Sequence, residues 1–229
     1  MPPSAAGSHT VSAPAHVLVD ADGQPISCTL VDASIVFYDG RHARSRSWWK
    51  RQLHSIAMCI ATGFTHCEIA FRVRVSPPYR DAKATGIAGA DQWLGCAVEW
   101  RAPLALDFRA YESALWCFYP LELTRAQIEK LFSVCARDVE RGVSFNLSGY
   151  LWNFISPVSM RIDAEGERVY CSEHVLRSLR EIGVSQFDTL DPLATHPHDL
   201  YLFLKEAGAF SNRITLRPGI SLDKLKLRA

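Results

Sequence analysis

The sequence has neither a long apolar segment nor a strong excess of charge of one sign. Hydrophobic residues make up 48% of the 229 positions, yet no apolar run approaches the roughly 20 residues that a helix needs to cross a bilayer. Lys and Arg total 25 against 24 Asp and Glu, so no overall field attracts nucleic acid or an anionic membrane. We therefore expect no transmembrane segment and no nucleic-acid partner, while a peripheral contact with a membrane stays open.

The spacings typical of disulfide frameworks and metal sites are also missing. The seven cysteines are odd in number and scattered, which indicates reduced thiols in a reducing compartment such as the cytoplasm. Potential metal ligands are present but lack C-x-x-C or H-x-x-x-H spacing. These residues are Cys59, His66, Cys67, Cys96, His196 and His198. We therefore expect no bound metal and no cofactor.

The N-terminal segment has neither the basic region nor the apolar region of a signal peptide. Residues 1–16 are rich in Pro, Ala and Ser, a composition that predicts a disordered arm. After this arm we find no internal repeat and no shift in composition. Residues 17–229 are therefore interpreted as a single domain.

Strand and helix patterns alternate along the chain. Apolar residues at every second position predict strands over 30–38, 65–75, 94–101, 104–108, 115–123 and 214–217. Thr124-x-x-Gln127 forms a capping box for a helix that Gly142 closes, and further helices are predicted from Cys171 and from His196. We expect an α+β protein in which an antiparallel sheet or small barrel packs against helices.

One segment, residues 41–51, mixes basic side chains with Trp48 and Trp49 and contains no acidic residue. Such a mixture could bind single-stranded nucleic acid or lipid headgroups. The alternative is a helix from Ser47 to Gly63 whose tryptophans are buried and whose arginines are solvated, and we favour it. Residues 76–92 then form a long connection that could border a cleft.

The segment 168–180 predicts a cysteine at the start of a helix. Leu176, Leu179 and Ile182 recur at helical spacing after Cys171. The N-terminus of a helix stabilises an anion through unpaired backbone N–H groups and the helix dipole, and the thiolate is the reactive form of cysteine. Cys171 is either a nucleophile or a buried cysteine that packs beneath the helix.

A nucleophilic Cys171 would need a base and a group that orients it. His66 begins a predicted strand and lies on its less apolar face. On the next strand Glu99 follows two small residues and could accept a hydrogen bond from an imidazole. Two alternatives remain. Glu68 shares the face of His66 and could orient the imidazole in place of Glu99. His174 lies one helical turn after Cys171 and could be the base in place of His66.

The order of these elements resembles the circularly permuted branch of the NlpC/P60 papain-like superfamily. That branch includes YiiX/YaeF-like bacterial proteins, lecithin retinol acyltransferase-like enzymes and a poxviral member. The segments that carry the resemblance are THCEIA at 65–70, AVEW at 97–100, RGVSFN at 141–146, VYCSEHV at 169–175 and HPHDL at 196–200. They span most of the chain.

This resemblance implies a permuted papain-like fold for residues 17–229 and a thiol hydrolase or acyltransferase. Cys171 would be the nucleophile, His66 the base and Glu99 the third catalytic residue, with His174 only a neighbour. The substrate would be an amide, ester or thioester, either a peptide or a lipid, which covers amidase, thiol peptidase, thioesterase and acyltransferase reactions. The alternative is an inactive fold that binds lipid or protein. The poxviral member adds a virus-infected host cell as a conceivable setting.

Overall fold

A computed structural model describes residues 18–19, 25–26, 28–39, 63–75, 91–98, 102–111, 115–146 and 168–207. Several features predicted from the sequence lie outside these residues. They are the N-terminal arm, the basic segment and helix over 41–62, residues 76–90 of the connection, Glu99, and the strand at 214–217.

The centre of the fold is a five-stranded antiparallel sheet with the strand order β6-β5-β4-β3-β7. Its strands are β3 (Cys28–Tyr38), β4 (His66–Val75), β5 (Asp91–Ala97), β6 (Ala105–Phe108) and β7 (Trp116–Pro120). Two short pairs accompany it: β1 (Leu18–Val19) with β2 (Pro25–Ile26), and β8 (Ser144–Phe145) with β9 (Arg168–Val169). Each of the five predicted strands that fall in the described residues has a counterpart, but two differ most in their bounds: β5 covers 91–97 where the pattern predicts 94–101, and β7 covers 116–120 where it predicts 115–123.

Helix α1 (Arg125–Glu140) begins and ends where the sequence predicts. Thr124 Oγ1 accepts the N–H of Gln127, and the Gln127 side chain accepts the N–H of Thr124. The helix ends before Gly142, whose φ of 68° lies in the left-handed region that glycine adopts without strain. The capping box and the glycine thus fix both ends of α1.

Helix α2 (Cys171–Glu181) follows β9 after one intervening residue, Tyr170. The backbone N–H of Tyr170 donates to Glu173, whose carboxylate is buried and paired with Arg177 at 2.5 Å. The Ser172 hydroxyl donates to the carbonyl of Thr195, just before helix α3 (Pro197–Glu206). These contacts hold the first turn of α2 in one place.

The two faces of the sheet have different roles. One face packs against the helices and forms the main core, which includes Phe37, Ile69, Phe71, Leu131 and Leu176. The other face carries a smaller aromatic cluster around Tyr111 and Phe118. Strand alternation produces this division, because odd-numbered residues of β4 face the helices and even-numbered ones face away.

The mixed α+β class and the antiparallel sheet packed against helices are therefore confirmed. Within the described residues, no helix is both long enough and apolar enough to cross a bilayer.

Candidate active site

Cys171 is the first residue of α2, and its thiol lies against the first two residues of strand β4, His66 and Cys67. It is 3% exposed. The His66 imidazole, the Cys67 thiol and the Cys67 backbone N–H lie close enough to the Cys171 sulfur to shift its pKa. The N-terminus of a helix and the start of a strand thus bring an imidazole, a thiol and a backbone N–H close to one sulfur.

These donors favour the thiolate of Cys171. Hydrogen bonds from Cys67 lower its pKa, burial opposes them, and the hydrogen bond and charge of His66 lower it further, so the pKa lies well below the usual cysteine value. In turn, burial and the contact with Cys171 raise the pKa of the Cys67 thiol. Cys67 therefore remains protonated and acts as a donor to Cys171.

The imidazole of His66 favours the protonated form. Burial lowers its pKa, but hydrogen bonds with Cys171 and Glu68 outweigh that effect and raise the pKa to about 10. The lowered pKa of Cys171 and the raised pKa of His66 both favour a thiolate–imidazolium pair at neutral pH. This is the charge state in which a cysteine is nucleophilic and an adjacent imidazolium can donate a proton.

Glu68 is the carboxylate that contacts His66, at 3.1 Å between Oε2 and Nε2. It is 1% exposed, and it also accepts a hydrogen bond from the Tyr111 hydroxyl and lies 3.5 Å from Arg109 Nη1. Burial raises the pKa of Glu68, but the hydrogen bond of His66 and the charge of Arg109 bring it below its ordinary value. Glu68 is therefore ionised and fixed beneath the imidazole.

Gly95 on β5 makes room for this carboxylate. β5 pairs with β4, and Gly95 lies opposite Ala70. A Cβ atom at position 95 would lie 2.6 Å from Glu68 Oε1 and 2.7 Å from Arg109 Cδ, which is closer than van der Waals contact allows. Glycine is therefore required at position 95, because any side chain there would collide with Glu68.

The structure brings together two of the three predicted site residues, Cys171 and His66. The third, Glu99, lies outside the described residues, so its proposed role stays a prediction. Glu68, the alternative orienting group, is the carboxylate that contacts His66. His174, the alternative base, has its Nε2 3.5 Å from Asp138 Oδ2 and belongs to a different cluster.

Sequence reasoning missed Cys67, Arg109 and Tyr111 as parts of the site. Cys67 follows His66 directly, but strand alternation assigned it to the opposite face of β4, away from the imidazole. Its thiol faces the helices, and Cys171 lies there at the start of α2. Arg109 and Tyr111 follow β6, and only the pairing of β4, β5 and β6 brings them to Glu68. No spacing in the sequence signals that contact.

A second group of potential ligands lies one turn further along α2. Cys96, Cys135 and His174 are buried, and their ligand atoms all lie within 4.8 Å of one another. Of these residues, the sequence pattern indicates only Cys96 as a potential metal ligand.

No protein-family model matches the chain, and neither a curated protein nor a solved structure is significantly similar to it. The site therefore has to be interpreted from its own geometry.

Proposed function

We propose that the protein is a cysteine-dependent acyl-transfer enzyme, a thiol hydrolase or acyltransferase, with Cys171 as nucleophile and His66 as its proton-transfer partner. The observation that supports it best is the proximity of the Cys171 thiol at the N-terminus of α2 to the His66 imidazole, which contacts Glu68. Buried thiols are common as packing residues. A buried thiol in contact with an imidazole, which itself rests on an ionised carboxylate, is the arrangement that nucleophilic catalysis requires.

In the proposed reaction, the Cys171 thiolate attacks the carbonyl carbon of an amide, ester or thioester. The carbonyl π electrons move onto oxygen, and N–H groups in the first turn of α2 face the resulting oxyanion. When the tetrahedral intermediate collapses, the bond to the leaving group breaks and the His66 imidazolium protonates that group. A thioester on Cys171 remains.

The second half of the reaction uses neutral His66 as a base. It removes a proton from water in a hydrolase, or from a hydroxyl or amine in an acyltransferase, as that acceptor attacks the thioester. Breakdown of the second tetrahedral intermediate releases Cys171 and restores the ion pair. Glu68 assists both halves, because its negative charge stabilises the imidazolium and its hydrogen bond fixes the ring.

The sequence resemblance supports the same chemistry and leads us to propose a circularly permuted papain-like fold in a reducing, cytoplasmic setting. His66 begins a strand and Cys171, later in the chain, begins a helix, which is the order expected for that branch. The competing proposal is an inactive descendant that binds lipid or protein through the same fold. The ionised Glu68 beneath His66 favours the enzyme, because a binding module would not need a buried carboxylate there.

The first test is the pH dependence of Cys171 alkylation by iodoacetamide, measured by peptide mass spectrometry in wild type and in His66→Ala. We expect Cys171 to react well below the pH at which an ordinary thiol ionises, about 8.5. Removing His66 should raise the pKa of Cys171 and reduce its alkylation rate near neutral pH by about 10-fold or more, since each pKa unit changes the thiolate population tenfold. The other six thiols are internal controls.

A second readout does not depend on reagent access to a buried sulfur. The ultraviolet thiolate absorbance of wild type minus that of Cys171→Ala should appear at acidic to neutral pH. Incubation with thioester, ester and amide probes should then leave an acyl mass on Cys171 in wild type and none in Cys171→Ser. If Cys171 titrates like its neighbours in both wild type and His66→Ala, the proposed enzyme is wrong and the binding module becomes the better interpretation.

A further inference from the structure

A buried group of side chains next to the proposed active site has the composition of a metal centre. Cys96 comes from β5, Cys135 from α1 and His174 from α2, and one ligand atom from each lies within 4.8 Å of the other two. The three elements are distant in the chain, so their convergence is a product of the tertiary fold.

The His174 imidazole is incompletely satisfied as it stands. Its side chain is 4% exposed, and within the described part of the chain its Nε2 has no hydrogen-bond partner. The Asp138 Oδ2 atom lies 3.5 Å away, beyond the range of a good hydrogen bond. A buried polar atom without a partner costs free energy, and a metal ion bound among these side chains would remove that cost.

The dimensions of the group suit a four-coordinate ion. Zn–S bonds of about 2.3 Å and Zn–N bonds of about 2.0 Å place tetrahedral ligand atoms about 3.5 to 3.8 Å apart. Ligand atoms within 4.8 Å of one another need to close by only about 1 Å to reach that spacing. Asp138, 3.5 Å from Nε2, is not within 4.8 Å of all three ligand atoms, so its carboxylate would have to move toward the sulfurs to become the fourth ligand.

We propose that Cys96, Cys135 and His174 bind a structural zinc ion, with Asp138 completing the site. Two sulfurs and one imidazole nitrogen select zinc over calcium or magnesium, which prefer oxygen ligands. Binding converts the two thiols into thiolates and releases their two protons to solvent. The buried position of all three ligands excludes substrate, so the ion would be structural.

The ion would also fix the helix that carries Cys171. His174 lies one turn after Cys171 on α2, and Cys96 lies on β5, which is paired with β4, the strand of His66 and Cys67. Zinc would therefore anchor α2 and α1 to the sheet close to the thiolate–imidazolium pair without contacting it.

The test is the zinc content of the full-length protein, purified without chelators from zinc-supplemented cells and measured by inductively coupled plasma mass spectrometry. We expect one zinc per chain in wild type. Cys135→Ser and His174→Asn should lose it, and Asp138→Asn should bind zinc about 10- to 100-fold more weakly in a chelator competition. Cys117→Ser, a half-buried thiol on β7, is the matched control and should keep its metal.

Cobalt substitution of the wild-type protein tests the ligands without relying on the folding of variants. Cobalt added to the metal-free protein should produce a thiolate-to-cobalt charge-transfer band and the visible spectrum of a tetrahedral site. Removing zinc from wild type should lower the melting temperature, and the same treatment should have no effect on His174→Asn.

Cys171→Ser distinguishes this site from the proposed active site, since it should abolish acyl transfer and retain zinc. Three results would overturn the proposal: wild type without stoichiometric metal and without a cobalt spectrum, zinc lost from Cys171→Ser but kept by His174→Asn, or a Cys96–Cys135 disulfide in freshly purified protein.

Discussion

At the scale of single residues, the chemistry of the site depends on where the charge of His66 is stabilised. The imidazole lies between two acceptors, the Cys171 sulfur and the Glu68 carboxylate. Its side chain is 22% exposed, so water screens part of the interaction, whereas the Glu68 side chain is fully buried. Both neighbours raise the pKa of His66, Cys171 more than Glu68, and the fixed negative charge of the buried Glu68 is the part that can be removed without changing the nucleophile.

Replacing Glu68 with Gln should lower the pKa of His66. Glutamine has nearly the same shape as Glu68 but carries no negative charge. We expect the pKa of His66 to fall below its value of about 10 by about 1 unit or more, as expected when an adjacent opposite charge is removed. An NMR titration of labelled histidines measures this, with the His66 signal assigned by its absence in His66→Ala.

Tyr111→Phe is the matched control for that measurement. It removes the hydroxyl that donates to Glu68 but keeps the carboxylate charge, so the pKa of His66 should change less than in Glu68→Gln. Because folding raises the pKa of His66, the protonated imidazole stabilises the folded state at low pH. This stabilisation is lost as the pH rises through about 10. An unchanged pKa in Glu68→Gln would show that Glu68 does not hold the imidazolium.

At the scale of elements, helix ends determine how α1 and α2 meet the sheet. α1 begins at a capping box and lies beside α2, where Arg137 pairs with Glu181 at 2.5 Å and Lys130 donates to the Glu181 carbonyl. The cap at Thr124 is exposed, so its contribution can be measured without changing the core.

Thr124→Ala should lower the free energy of unfolding by about 1 kcal/mol, the usual cost of losing an N-cap side chain. Urea denaturation measures the change. Thr124→Ser keeps the oxygen that accepts the Gln127 N–H and should remain close to wild type. An equal loss in both variants would assign the effect to the threonine methyl group and contradict the capping role.

At the scale of the whole molecule, the active-site helix is held by the main core. Leu176 and Leu179 of α2 are fully buried and pack in one cluster with Ile69 of β4 and Leu131 of α1. The position of Cys171 relative to His66 therefore depends on hydrophobic packing as much as on polar contacts.

Leu176→Ala should lower the free energy of unfolding by about 2 to 5 kcal/mol, because it removes buried methyl groups and leaves a cavity. Leu202→Ala on α3 is the matched control. Leu202 is 40% exposed, so its truncation should change stability by no more than about 0.5 kcal/mol. Similar losses in the two variants, measured by urea denaturation, would contradict the assignment of Leu176 to the core.

The sequence by itself determined the elements whose signals are local. Alternation on β4 separates Cys67 and Ile69 from His66 and Glu68, the capping box and Gly142 delimit α1, and apolar spacing after Cys171 predicts α2. These patterns succeed because each depends on residues a few positions apart. They were enough to make Cys171 and His66 candidates, and the family resemblance supplied the roles proposed for them.

The tertiary structure alone decided which side chains meet. Glu68 contacts Arg109 and Tyr111 only because β4, β5 and β6 are neighbours in the sheet. Likewise, Cys96, Cys135 and His174 have no recognisable spacing, and β5, α1 and α2 bring them together. Long-range pairing and packing leave no periodic trace in a single sequence, so the contacts of Glu68 with Arg109 and Tyr111 and the convergence of the three proposed zinc ligands became visible only in the folded chain.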